Sequence, residues 1–172
     1  MTSNASKIAQ NVTGTRRVLS DREEFREAMV AVAKVAVRSL AIMTPDLETG
    51  IYDDRHFLDA VKHLCLSRSY ARIRVLVTNP NRTLRDGNRF VYLGRRLSTF
   101  VEFRHVGEEH RSRNDAFMIA DETALVFRAD ADRWEGIADT SEPTIARRYL
   151  NTFDEIWTHS NPAHEFRQLH IS

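Results

Sequence analysis

The chain of 172 residues has a single cysteine, Cys65, so it can form neither an intramolecular disulfide nor a thiolate metal cluster. Flanked by Leu64 and Leu66 in a helical pattern, Cys65 reads as a small buried hydrophobe. No apolar run approaches the roughly 20 residues that a membrane helix needs. The first 20 residues also lack the apolar core of a secretory signal, so a cytoplasmic protein without a membrane span is expected. There are only six glycines, and no Gly-rich phosphate loop among them. A Gly-x-Ser-x-Gly elbow is missing too, which removes the usual serine-hydrolase reading. No cofactor is called for.

Lysine is scarce as well: of 25 basic residues, three are Lys and 22 are Arg. Arginine forks onto phosphates and carboxylates and stacks on bases, so this bias admits an anionic or nucleic-acid partner. The net charge of +1 conceals a strong asymmetry. Residues 68–113 carry a net of +7, whereas residues 114–172 carry a net of −6. Pairing of the basic middle with the acidic final third is the alternative use of these charges.

Residues 1–16 are polar and aperiodic and are expected to form a flexible arm, leaving 17–172 as one domain. Ser20-Asp21-Arg22-Glu23 has capping-box form. Phe25, Met29, Val32 and Ala36 then predict one face of a helix of about 18 residues. Leu40-Ala41-Ile42-Met43 reads as a buried strand stopped by Pro45. Asp53 or Asp54 caps a helix carrying Val61, Leu64 and Cys65 inward. Residues 71–77 form the clearest strand, ended by the turn cluster Asn79-Pro80-Asn81. A helix follows over residues 88–97 and a strand over 100–106, then a charged loop over 107–113. Residues 116–120 and 124–127 predict a β-hairpin with Asp121 at its turn. Residues 129–140 read as a loop, and Pro143 starts a last helix reaching about His159. In the short tail, Phe166 and Leu169 can dock on the core. Strands separated by helices favour parallel pairing with right-handed crossovers.

The hairpin segment resembles the phospholipase D signature, His-x-Lys-x4-Asp on one strand followed by a second strand ending in Gly-Ser. Asp121 matches the Asp, Asn114 stands at the His position and Ala116 at the Lys position, and Arg128-Ala129-Asp130 replaces Gly-Ser. The resemblance covers roughly residues 18–160 and implies an α/β fold: a single phospholipase-D-like lobe, with a mixed, mostly parallel sheet of about five strands and helices on both faces. More narrowly, Thr44-Pro45-Asp46-Leu47-Glu48, Arg95-Arg96-Leu97-Ser98 and Phe153-Asp154-Glu155-Ile156-Trp157 resemble a bacterial phospholipase-D-like family sometimes attached to acetyltransferases. An acetyltransferase-type protein is therefore one implied partner. A second copy of the chain is another, because single-lobe members build their site across a homodimer.

Active members of that superfamily use a His nucleophile on phosphorus and a Lys on the phosphate oxygens. An Asn amide cannot form the phosphoenzyme, and Ala supplies no charge. The expected function is thus a non-catalytic phospholipase-D-like binding or regulatory domain for a phosphate-bearing ligand, nucleic acid or protein. No catalytic residue is assigned. Candidate binding residues are Asp46, Glu48, Arg96, Arg104, Arg111, Arg113, Asn114, Asp115, Asp121, Arg128 and Trp134. Of these, Asp46, Glu48 and Asp115 could instead hold a cation or cap a loop, Asp121 suits a turn, and Trp134 could stack on a base or on the core. Among the seven histidines, His105 and His110 bracket Glu108 and Glu109, but solvated side chains are expected there and no metal is assigned. The alternative function is a phosphodiesterase or nuclease with a relocated site at His105 or His110.

Overall fold

A computed structural model describes residues 16–168. Strand β1 (Arg17–Leu19) leads into helix α1 (Arg22–Val35), strand β2 (Ser39–Thr44) and helix α2 (Arg55–Ser67). Strand β3 (Arg72–Val77), the short helix α3 (Pro80–Asp86), helix α4 (Arg89–Arg96) and strand β4 (Val101–His105) follow. A 3-10 turn (Glu108–His110) then precedes strands β5 (Ala116–Ala120), β6 (Ala124–Arg128) and β7 (Gly136–Asp139). The chain closes with helix α5 (Pro143–Thr158), strand β8 (Asn161–Pro162) and helix α6 (His164–Gln168).

These strands form one eight-stranded sheet in the order β1-β7-β6-β5-β2-β3-β4-β8. Only β2–β3 and β3–β4 are parallel; the other five pairings are antiparallel. The expectation of about five mostly parallel strands is therefore wrong: the sheet is mixed and mostly antiparallel. The error has a definite origin. β1, β7 and β8 span three, four and two residues, too few to show an alternating pattern. β7 fell inside the expected loop over 129–140, and α3 begins in the expected turn cluster at Asn79-Pro80-Asn81 and runs on to Asp86. The crossover rule held for β2, β3 and β4 alone. Of the expected arm, residues 1–15 lie outside the described residues, and Arg16 is exposed.

Helices cover both faces. On one face, α1, α2 and α4 bury Phe25, Met29, Val32, Phe57, Val61 and Phe90 against Leu40, Ile42, Ile73 and Val75. On the other, α5 alone buries Phe153, Ile156 and Trp157 against Ala41, Met43, Phe117 and Ile119. The alternation within β2 and β5 sends successive side chains to opposite cores. Gly94 lets α4 approach β4 closely, since a Cβ there would strike the Phe103 ring. Phe166 docks on the larger core as expected, whereas Leu169 lies outside the described residues. Burial pushes the Cys65 thiol up to about 11, in keeping with an inert core residue.

The α1 cap is shifted by one residue from the expected box. Asp21 accepts the Glu24 N–H, and the Glu24 carboxylate reaches back to the Ser20 N–H and hydroxyl.

Candidate functional site

The parallel strands give the sheet two distinguishable ends. At the carboxyl end lie Thr44, Val77 and His105, with Ala116 and Arg128, because β5 and β6 run so as to bring the signature segment there. Open α/β sheets collect ligands at this end.

Candidate residues here are already engaged, two pairs of them with each other. Arg113 makes a two-pronged bond to Asp115, at 3.1 and 2.7 Å. The Asn114 amide donates to Asp130 at 2.7 Å and to Asp132 at 3.1 Å. Asp46 accepts from Arg82 at 3.1 Å. Leu47, at φ 54, turns the chain between Asp46 and Glu48, a left-handed conformation held by burial of its side chain. Glu48 then reaches Arg128 at 2.5 Å.

Arg128 is only 6% exposed. Its guanidinium also donates to the carbonyls of Ala131 and Arg133, and it lies over the rings of Phe25 and Trp134. Trp134 therefore folds back onto the core beside Phe25. Burial raises the Glu48 carboxyl above its ordinary value, against the opposing pull of Arg128. Ala116 lines a cavity of about 20 Å³ with Glu48, Tyr52, Arg128 and Trp134. That is room for about one water molecule.

Arg104 lies on β4 beside the edge strand β8, bonded to Glu102 at 2.8 Å and stacked on Trp157. Arg111 donates to the Val106 carbonyl and lies 4.0 Å from Glu108. His105 contacts the Thr78 carbonyl and lies 4.0 Å from Glu165, so it does not join His110. His110 meets Glu109 and His159 instead. His159 was missed in the sequence, where it marks only the end of a helix.

The amino end differs. Asp121, at φ 61, accepts the N–H groups of Val37, Arg38 and Ser39 and so ties the hairpin turn to the start of β2. That is a structural use of the residue, though one that reaches across to β2 rather than staying within the turn. Arg96 ends α4 at this end too, away from the candidates at the carboxyl end, with its neighbour Arg95. Arg38 precedes β2, Arg68 follows α2, and Arg72 opens β3. None of these five arginines makes an ion pair among the described residues. Tyr70 and Tyr92 are more than half exposed and lie under the guanidiniums of Arg38 and Arg95 respectively. The Arg95 Nη1 is buried without a hydrogen-bond partner among the described residues.

The architecture is similar to phospholipase-D-like and nucleic-acid-binding folds. The archaeal chromatin protein TrmBL2, described as showing a novel mode of DNA binding, superposes with a TM-score of 0.62 at 12% identity. That match covers 94% of this chain and 62% of TrmBL2, so the chain spans less than two thirds of that relative. The phospholipase D family member Nuc from Salmonella typhimurium gives 0.55 at 13% identity, covering 86% of this chain and 97% of Nuc. NucT from Helicobacter pylori gives 0.57 at 11% identity, covering 86% and 98%. No curated protein sequence matches the chain. The chain belongs to the family described as a domain of unknown function, DUF7931, which matches residues 21–169. Among the described residues, no helix is long and apolar enough to cross a membrane.

Proposed function

We propose that this chain is a non-catalytic phospholipase-D-like domain that holds a nucleic-acid backbone through the amino end of its parallel strands. The observation that carries this reading is the set Arg38, Arg68, Arg72, Arg95 and Arg96, without acidic partners among the described residues and interleaved with exposed Tyr70 and Tyr92. Three helices end nearby, and their partial negative charges, about half an elementary charge each, offset only part of five guanidiniums. Arginine for phosphate oxygens and tyrosine for base faces is the pairing that single strands and distorted duplexes accept. The DNA-binding chromatin protein of similar fold adds support. At the carboxyl end, by contrast, Arg113, Arg128 and Asn114 are engaged by carboxylates. A phosphodiester arriving there would have to displace them. With Asn114 and Ala116 at the signature positions, no imidazole is offered to phosphorus and no ammonium to its oxygens.

The test is fluorescence anisotropy with labelled single- and double-stranded DNA over a salt series, each sample then run on a denaturing gel. Five phosphate contacts predict an affinity loss of roughly 10²–10³-fold between 50 and 200 mM salt, with the DNA intact. Affinity that ignores salt, or no DNA binding at all, would sink the reading. A relocated phosphodiesterase at His110 is the second reading, favoured by the approach of His159 and Glu109. It requires DNA cleavage that His110→Ala abolishes and Asn114→Ala does not. A homodimer, in keeping with a single lobe, predicts twice the chain mass in light scattering.

A further inference from the structure

We infer that Glu109, His110 and His159 form a divalent-metal site of the zinc class, stapling the β4–β5 loop to the end of α5. One ligand atom from each residue lies within 4.8 Å of the other two. Tetrahedral zinc, with bonds of about 2.0–2.2 Å, needs ligand atoms roughly 3.3 Å apart. Glu109 and His159 are exposed, so small side-chain adjustments can close that gap.

Three features favour coordination over chance proximity. His159 donates from Nδ1 to the Glu155 carbonyl at 3.0 Å, because a carbonyl can only accept. That bond fixes the tautomer and leaves the Nε2 lone pair for a metal, the outer-shell arrangement that zinc-binding histidines use. Gly107 is the second: a Cβ there would collide with the His159 carbonyl and crowd Glu109, so a glycine is what lets this loop lie against the helix end. The 3-10 turn is the third, since it places Glu109 and His110 side by side, with the Arg113 N–H closing on the His110 carbonyl at 3.1 Å. Two imidazoles and a carboxylate suit zinc and its neighbours rather than magnesium or calcium, which prefer all-oxygen shells. Three protein ligands leave a fourth position for solvent.

The staple would fasten a loop that crosses the carboxyl ends of β2 and β3 and leads directly into Asn114. Its effect is on the order of that loop and is independent of nucleic-acid binding at the opposite end.

Calorimetric titration of the metal-free full chain with Zn²⁺ tests it, alongside thermal melts with and without the ion. One site per chain and a raised melting temperature are expected. Loss of outer-shell partners alone weakens metal sites about 10–100-fold, so His110→Ala and His159→Ala should each weaken binding by more than that and abolish the thermal shift. Glu109→Gln should weaken it less, and the double change of His56 and His63 to Ala should leave it unaltered. Visible absorption of the Co²⁺ form, lost in His159→Ala, gives an independent readout of tetrahedral ligation. No one-to-one binding, or binding unchanged in both single-histidine variants, overturns the site.

Discussion

The two ends of one hairpin, β5–β6, carry out opposite tasks with similar residues. At the turn, the Asp121 carboxylate spends itself on three backbone N–H groups and makes no contact with a cation that the structure records. At the far end, Asp115, Asp130, Asp132 and Glu48 are occupied by side chains, and one of those side chains is a buried arginine. Polar groups at the carboxyl end are thus engaged internally, while the arginines beside the turn form no ion pair among the described residues. A signature read along the sequence points to the carboxyl end; the unspent electrostatics point to the amino end.

The largest way to break this contrast is Arg128→Ala. Removing one member of a buried pair costs about 3–5 kcal/mol, here compounded by lost stacking on Trp134, and urea denaturation should show it. Asp121→Ala comes next. It removes a charged acceptor, worth about 1.5–3 kcal/mol, and places Ala at φ 61. Asp121→Gly accepts that backbone at little strain, so it should be milder by about 1 kcal/mol. Equal costs for the two variants would mean that the left-handed turn carries no strain.

The smallest effect concerns Glu48. Its folded pKa is raised by burial above the ordinary 4.5, so its contribution to stability is fully present below the unfolded value and is lost as pH rises through the folded one. Glu48→Gln has no such titration. Its stability relative to the wild type should therefore rise with pH upward from 4.5, as measured by denaturation at several pH values. A difference that falls with pH would show that Arg128 outweighs burial.

Much of this polarity was legible in the sequence. Apolar runs located β2, β3, β5 and β6, and the motif register placed Asn114 just before β5, Ala116 at its start and Asp121 in the turn that follows it. Asp121 was readable as a turn residue from its place between two apolar runs. Three things were not readable. Short edge strands leave no periodicity, so the sheet's size and mostly antiparallel pairing were missed. Arg38, Arg68, Arg72 and Arg96 are scattered over 58 positions and meet only because α1, α2 and α4 all end where β2, β3 and β4 begin. His159 is likewise 49 positions from His110, joined to it only by the return of α5. Local chemistry shows in a sequence; neighbours made by topology do not.

The most direct measurement is DNA affinity at low salt for the wild type, for Arg38→Ala/Arg72→Ala/Arg96→Ala, and for Arg82→Ala/Arg111→Ala/Arg133→Ala. The first triple variant should lose most of the binding, with its salt slope reduced by about one per arginine removed, while the second binds as the wild type does. Binding lost in the second set and kept in the first would contradict the account and return the ligand to the carboxyl end.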